Sequence, residues 1–202
     1  MPEPRRDELV LAAYKEIAEN GFEGLRTREV AGAVGVNVAT LHYYFPSKED
    51  LIKAVVGHAM SRFQSTLASE GSAIERLRGH FSGLRRLARE EPQLFATMAE
   101  LMLRASRDKT LAGIIEKTNE FWHGTLRGLL RAAREDGDLP KTIDPDGMAA
   151  VIVATLKGVY LLPGKATGAE SVEKALRQLE TLLGLRALRS GGPTSAASRP
   201  RL

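Results

Sequence analysis

The chain has 202 residues, 43% of them apolar, with 29 Lys and Arg against 25 Asp and Glu, for a formal net charge of +4. That balance describes a folded globular protein rather than a disordered one, long enough for one ordinary domain plus a small one. There is no cysteine, which excludes disulfides, thiolate-held zinc and a thiol nucleophile, and fits a reducing cytoplasm.

The opening MPEPRRDE has no apolar run behind its arginines, so no secretory leader is expected. A first helix is predicted from residue 7 to about 20, with Leu9, Ala13 and Ile17 on one face and Asn20-Gly21 ending it. Arg5 and Arg6 precede it, either as a flexible basic lead-in reaching a phosphate or minor groove, or as two solvated arginines at a frayed end. Phe22 and Leu25 should seat a small three-helix core against this helix and Leu41.

Residues 27 to 48, TREVAGAVGVNVATLHYYFPSK, read as two short helices joined by a tight turn. Thr27 is the expected N-cap of the first, and Val30, Ala31 and Val34 share its inner face. Gly35 suits the left-handed residue that ends a helix. Asn37 caps the second helix, Pro46 stops it, and Ser47 caps a third with Asp50 three positions on. In the second helix Leu41 and Phe45 point inward, while Thr40, His42, Tyr43 and Tyr44 crowd the remaining surface with polar tips. Two such helices around a glycine turn fit the helix-turn-helix that reads DNA, although the shape also occurs as an ordinary core hairpin.

The stretch closely resembles the DNA-binding domain of the TetR (tetracycline-repressor-like) transcriptional regulators, through Thr27, Val30, Ala31, Gly35, Val36, Leu41, Tyr44, Phe45, Ser47, Lys48, Glu49 and Leu51. It departs at Asn37, usually Ser or Thr, which keeps the cap, and at His42, usually Tyr. The resemblance implies an all-α protein, with a three-helix head and a C-terminal helical ligand-binding and dimerisation bundle, about nine helices in all. Carried over by position, Thr27, Arg28, Tyr44 and Lys48 would grip phosphates, and Val38, Ala39, Thr40, His42 and Tyr43 would face base edges and sugars. The expected partner is a double-stranded, roughly palindromic operator whose half-sites lie about 34–36 Å apart. Residues 1 to 48 carry six basic and seven acidic side chains, so a few phosphate contacts are expected rather than a broad electrostatic grip.

A fourth helix should run from Ser47 to about Ala68, with Leu51, Ile52, Val55, Val56, Ala59 and Phe63 on one face; the resemblance makes it the lever between effector and head. Glu70-Gly71-Ser72 breaks the chain. A fifth helix follows over about 73 to 90, and a sixth starts at Pro92. Asp108 caps a seventh that runs to about Glu135, with Leu111, Ile115, Phe121, Trp122 and Leu126 among its inward candidates. Phe63, Phe81, Phe95, Met98, Met102, Phe121, Trp122 and His123 either line a cavity for an apolar or aromatic small-molecule effector or are plain core. That a cavity exists, with an effector between the fourth and seventh helices, is what the resemblance implies.

Asp144-Pro145 opens an eighth helix, and Met148 to Leu162 is apolar nearly all round, too short to span a bilayer and interrupted by Lys157. A ninth helix is predicted over about 169 to 188, with Val172, Leu176, Leu179 and Leu183 at near-heptad spacing. Helices about 145–162 and 169–188 suit a homodimeric four-helix bundle; the alternative is a monomer whose ninth helix covers the eighth. The domain expectation is therefore 1–48 for DNA binding, 49–189 for effector binding and dimerisation, and 190–202 as a disordered tail.

No metal-ligand spacing, phosphate loop or nucleophile motif is present, so no catalytic residue, metal or cofactor is expected and the protein is not expected to be an enzyme. The expected function is a cytoplasmic homodimeric transcriptional regulator, a repressor in most of the family, released from its operator by a small molecule, with no membrane partner. Two rivals stand beside it: a small-molecule binding protein with no DNA role, and a DNA-binding regulator that needs no effector.

Overall fold

The computed structural model describes residues 4–161 and 169–185, and every regular element among them is a helix. In chain order these are α1 Pro4–Gly24, α2 Thr27–Ala33, α3 Val38–Tyr44, α4 Lys48–Gln64, α5 Ala73–Glu90, α6 Pro92–Ala105, α7 Lys109–Glu135, α8 Pro145–Leu161 and α9 Ala169–Leu182. The last residue of the expected apolar stretch, Leu162, and the expected disordered tail from 190 lie outside the described residues.

The head is α1 to α3, closed over Leu9, Ala13, Ile17, Leu25, Val30, Leu41 and Phe45, all buried. Gly35 takes φ +71°. The amides of Gly35 and Val36 turn back to the carbonyls of Gly32 and Ala31, both at 3.0 Å, which satisfies the end of α2 with a left-handed cap. Asn37 Oδ1 accepts from the Thr40 amide at 2.8 Å and opens α3. Ser47 Oγ accepts from the Asp50 amide at 3.1 Å and donates to the Asp50 carboxylate at 2.7 Å, opening α4.

Several boundaries differ from the sequence reading, among them the start of α1, at Pro4 rather than residue 7, and the end of α9, at Leu182 rather than about 188. Thr27 is the first helical residue of α2; the cap position falls on Arg26, whose side chain makes no capping bond and instead donates to the Glu23 carbonyl. α1 does not end at Asn20-Gly21. It breaks at Gly21 (φ 71°, ψ 173°) and resumes through Phe22 to Gly24. α4 ends at Gln64, short of Ala68, because the Thr66 hydroxyl and amide both turn back to the Phe63 carbonyl, at 2.7 and 3.2 Å.

α5 to α9 form the body. α5 begins with a full capping box, Ser72 with Glu75, and its apolar face is shared between α7 and α9. Val172, Leu176 and Leu179 of α9, and Leu183 just past its end, are buried within this same chain. The near-heptad stripe is thus an internal seam against α5 and α8, reinforced by the Arg85–Glu180 pair and by Arg78 Nε donating to the Leu185 carbonyl at 3.1 Å. α8 packs on α7 through Ala149, Ile152, Val153 and Leu156, while Ala150, Val151, Ala154 and Gly158 remain exposed.

α5 lies close enough to the end of α4 that a Cβ on Gly83 would stand 2.7 Å from Thr66 Cβ. Gly79, one turn earlier, has nothing within 4 Å. Gly83→Ala should therefore destabilise the fold by about 1–3 kcal/mol through overpacking. Gly79→Ala should stabilise it by about 0.5–1 kcal/mol through helix propensity. Urea midpoints of the two variants test the pair, and shifts of the same sign would refute this account of the α4–α5 contact.

Candidate nucleic-acid interface and internal cavity

α3 is held by its inward side and open on its outward side. Leu41 and the following Phe45 are buried, while Ala39, His42 and Tyr43 are exposed, Tyr43 at 78%. Tyr43 and Tyr44 meet edge-on with ring centroids 5.2 Å apart, and Tyr44 is half-buried. Val38 is half-buried against the core. The Thr40 hydroxyl donates to Asn37 Oδ1 at 3.0 Å, leaving its own lone pairs to accept. Thr27 is half-buried and Arg28 exposed in the first turn of α2. Lys48, half-buried in the first turn of α4, stands 5.6 Å from the centroid of the Phe22 ring.

Arg5 and Arg6 are neither a loose lead-in nor free arginines. They belong to the first turn of α1, where Arg5 donates to the Val34 carbonyl at 3.2 Å and to Glu8 at 2.7 Å. Arg6 lies over the Phe45 ring at 5.0 Å. Both tie α1 to the helix-turn-helix, a role that sequence could not signal because Val34 and Phe45 are far along the chain.

The head is fastened to the body along α6. The kink at Gly21 turns the Phe22 amide toward Glu100, whose Oε2 accepts it at 3.1 Å. A Cβ at Gly21 would meet that same oxygen at 3.3 Å. Arg104 pairs with Glu23 at 3.3 Å and covers the Phe22 ring at 5.0 Å, and the Thr97 hydroxyl reaches the Tyr14 carbonyl at 3.4 Å. On α4, His58 meets Tyr14 edge-on at 5.2 Å, and one turn on Arg62 pairs with Glu91, Nε to Oε2 at 3.1 Å. That hydrogen bond holds the Glu91 carboxyl below the usual carboxylate range, whereas burial lowers the His58 imidazolium and raises the Tyr14 hydroxyl.

The other side of α6 faces a cavity. Met60, Phe63 and Gln64 of α4, Met98 and Met102 of α6, Ile115, Thr118, Asn119 and Trp122 of α7, and Lys157 of α8 line it. The space open to the centre of a water molecule is about 40 Å³. Of the eight residues expected there, Phe63, Met98, Met102 and Trp122 are present. Phe81 is fully buried elsewhere in the core. Phe95 does not reach the cavity and packs edge-on against Phe63 at 5.7 Å. Phe121 is 58% exposed, because its position on α7 turns it away from α5 and α6. His123 lines an outer groove between α7 and α8 instead.

Trp122 is fixed from behind by a directed chain of hydrogen bonds. Its indole N–H donates to His80 Nε2 at 2.9 Å, so the imidazole proton sits on Nδ1, which donates to Thr66 Oγ1 at 2.6 Å. Thr66 Oγ1 in turn donates to the Phe63 carbonyl. A second proton on His80 would point at the Trp122 N–H and break the chain. Burial already opposes that proton, moving the His80 pKa from 6.5 down to about 4. The sequence did not place His80, Met60, Gln64, Ile115, Thr118, Asn119 or Lys157 here; Ile115 was legible only as an inward residue, and Lys157 only as the single charge inside an apolar helix. Among the described residues no group of three or more His, Asp or Glu could hold a metal ion, and no helix is long and apolar enough to cross a membrane.

Residues 9–55 match the family model of bacterial regulatory proteins of the tetR family, and residues 73–185 match the C-terminal model of BetI-type transcriptional repressors. The chain is 28% identical over 152 residues to the fatty acid metabolism regulator protein of Bacillus subtilis (strain 168), covering 70% of this chain and 74% of that one. It superposes on AibR in complex with isovaleryl coenzyme A and operator DNA with a TM-score of 0.67 and 20% identity, over 89% of this chain and 98% of the other. A transcriptional regulator from Saccharomonospora viridis in complex with choline gives a TM-score of 0.73 at 19% identity, over 87% and 95%.

The His80 chain sets a pH dependence. Between pH 6.5 and about 4 the unfolded chain takes up a proton that folded His80 refuses. Stability from this residue is fully present above that window and falls as pH drops through it, by at most about 1.4 kcal/mol per pH unit. His80→Gln can accept from Trp122 and donate to Thr66 without titrating. Urea unfolding at about pH 7 and about pH 5 should show a clearly smaller pH loss for the variant than for the parent; parallel losses would contradict the assignment.

Proposed function

The chain belongs to the tetR family of bacterial regulatory proteins and is a DNA-binding transcriptional repressor, and from that premise we propose that it works as a homodimer released from a palindromic operator by a small molecule held in the α4–α6–α7–α8 cavity. The observation that carries the DNA reading is the 78% exposure of Tyr43 on a helix whose inner side, Leu41, is fully buried. On this reading residues 1–48 are the DNA-binding domain and 49–189 bind effector and partner. Tyr43, His42 and Ala39 face bases and sugars, with Thr40 accepting and Val38 offering an apolar edge. Thr27, Arg28, Tyr44 and Lys48 hold phosphates, helped by the N-terminal end of α3.

The dimer is built on the exposed side of α8, where Ala150, Val151, Ala154 and Gly158 allow close helix approach, with Leu182 of α9 beside it at 63% exposure. Leucines 176, 179 and 183 have no part in it, since they are spent within the subunit.

Release runs through α6 as well as α4. Met98 and Met102 touch the cavity, while Thr97, Glu100 and Arg104 on the same helix hold α1. A ligand lodged in this confined space shifts one of these walls, and Met side chains repack readily. Shifted walls re-aim the head, and by linkage the ligand and the operator weaken each other equally. The small cavity favours one second reading, a regulator that needs no effector; a dimer whose operator affinity no cavity ligand alters would support it.

Operator duplexes selected from random sequence provide the test. Tyr43→Ala should weaken operator binding about 10–100-fold, roughly 1–3 kcal/mol, with dimer and melting temperature unchanged. Lys48→Ala should weaken binding to every sequence and reduce the salt slope by about one. Wild-type affinity in the first variant, or an unaltered slope in the second, would remove those residues from the interface.

A further inference from the structure

The cavity wall contains one charged group, Lys157, and it is unneutralised. Apart from Lys48, which stands over the Phe22 ring, the other half-buried Lys and Arg from α4 onward each have an oxygen partner. Arg62 has Glu91, Arg85 has Glu180, Arg104 has Glu23, and Arg76 and Arg134 have the carbonyls of Ala68 and Ile143. Among the described residues Lys157 has neither an ion pair nor a hydrogen bond. Burial lowers its ammonium pKa, so the charge is held at a cost with no partner opposite it among the described residues. Glu120 lies on the outer groove that Lys157 also lines, yet the two form no ion pair.

Its position adds a direction. Lys157 and Asn119 line both the inner cavity and the outer groove between α7 and α8, so they stand where the two spaces meet. Inward of them the wall is almost wholly apolar: Phe63, Met98, Met102, Ile115 and Trp122. A ligand that satisfies this arrangement has an apolar body for the inner space and one negative head at the mouth. Asn119 can donate to that head beside the ammonium.

We propose that the effector is an amphiphilic carboxylate of fatty-acid type, its acid group paired with Lys157 and its chain lying among the methionines. The proposal rests on the reading that this cavity is the effector site. A quaternary ammonium such as choline would meet an uncompensated positive charge here, although Phe63 and Trp122 could offer ring faces.

The chain has a single tryptophan, Trp122, in the cavity wall, so its emission reports occupancy directly. Decanoate, decanol and decyltrimethylammonium carry the same chain with a negative, neutral and positive head. Titrated below their micellar concentrations, decanoate should bind about tenfold tighter than decanol, with the ammonium weakest. Lys157→Met keeps the apolar stem and should weaken decanoate about tenfold while leaving decanol unchanged, and Lys157→Arg should restore the preference. Equal affinity for the three heads, or an undiminished decanoate preference in Lys157→Met, would overturn the proposal and leave the cavity reading intact. If none of the three alters Trp122 emission, both fall.

Discussion

The hydrogen bond from the Phe22 amide to the Glu100 carboxylate joins the two halves of this molecule. It depends on a backbone conformation, φ 71° at Gly21, that an L side chain rarely adopts, and on the missing Cβ that would otherwise crowd the carboxylate. Arg104 closes the same junction, with its guanidinium over the Phe22 ring and reaching Glu23. These charge-assisted contacts add direction to the apolar packing of α1 against α6. Such contacts are directional, so a small rotation of α6 is felt in the orientation of α1 and, through Arg5 and Arg6, of the helix-turn-helix.

That seating gives the cavity its mechanical meaning. α6 presents Met98 and Met102 to the cavity and Thr97, Glu100 and Arg104 to the head, so one rigid helix is shared by both. A second link runs from Trp122 through His80 to Thr66 at the end of α4, and Gly83 permits the close approach that this link requires. A ligand can bias the head only by binding one arrangement of these walls better than another. The flexible methionines are the part of the cavity wall that can yield.

What the sequence disclosed is what depends on neighbours along the chain. Asn37, Ser47, Ser72, Asp108, Pro92 and Gly35 act within a turn of themselves, and each marks a helix end. Leu41 and Phe45 were legible as core by helical spacing. Residue type suggested a cavity set, but type does not fix the rotational phase of one helix against another, which is why Phe63 and Trp122 line the cavity while Phe121 points to solvent. The α9 stripe shows the same limit. Heptad spacing demands a covering helix without saying whose, and α5 of the same chain supplies it. The His80 chain joins residues 14 and 42 positions apart and left no local signal at all.

In the proposed homodimer Glu100 on α6 fixes how the two heads are held. Because the chain has no cysteine, Glu29→Cys on the exposed first turn of α2 gives one spin-label site per subunit. Pulsed-EPR distances across the dimer should be narrowly distributed in the parent. Adding Glu100→Ala should broaden and shift them while helix content and dimerisation stay the same. An unchanged distance distribution in the Glu100→Ala protein would contradict the account, because the heads would then be held by something other than Glu100.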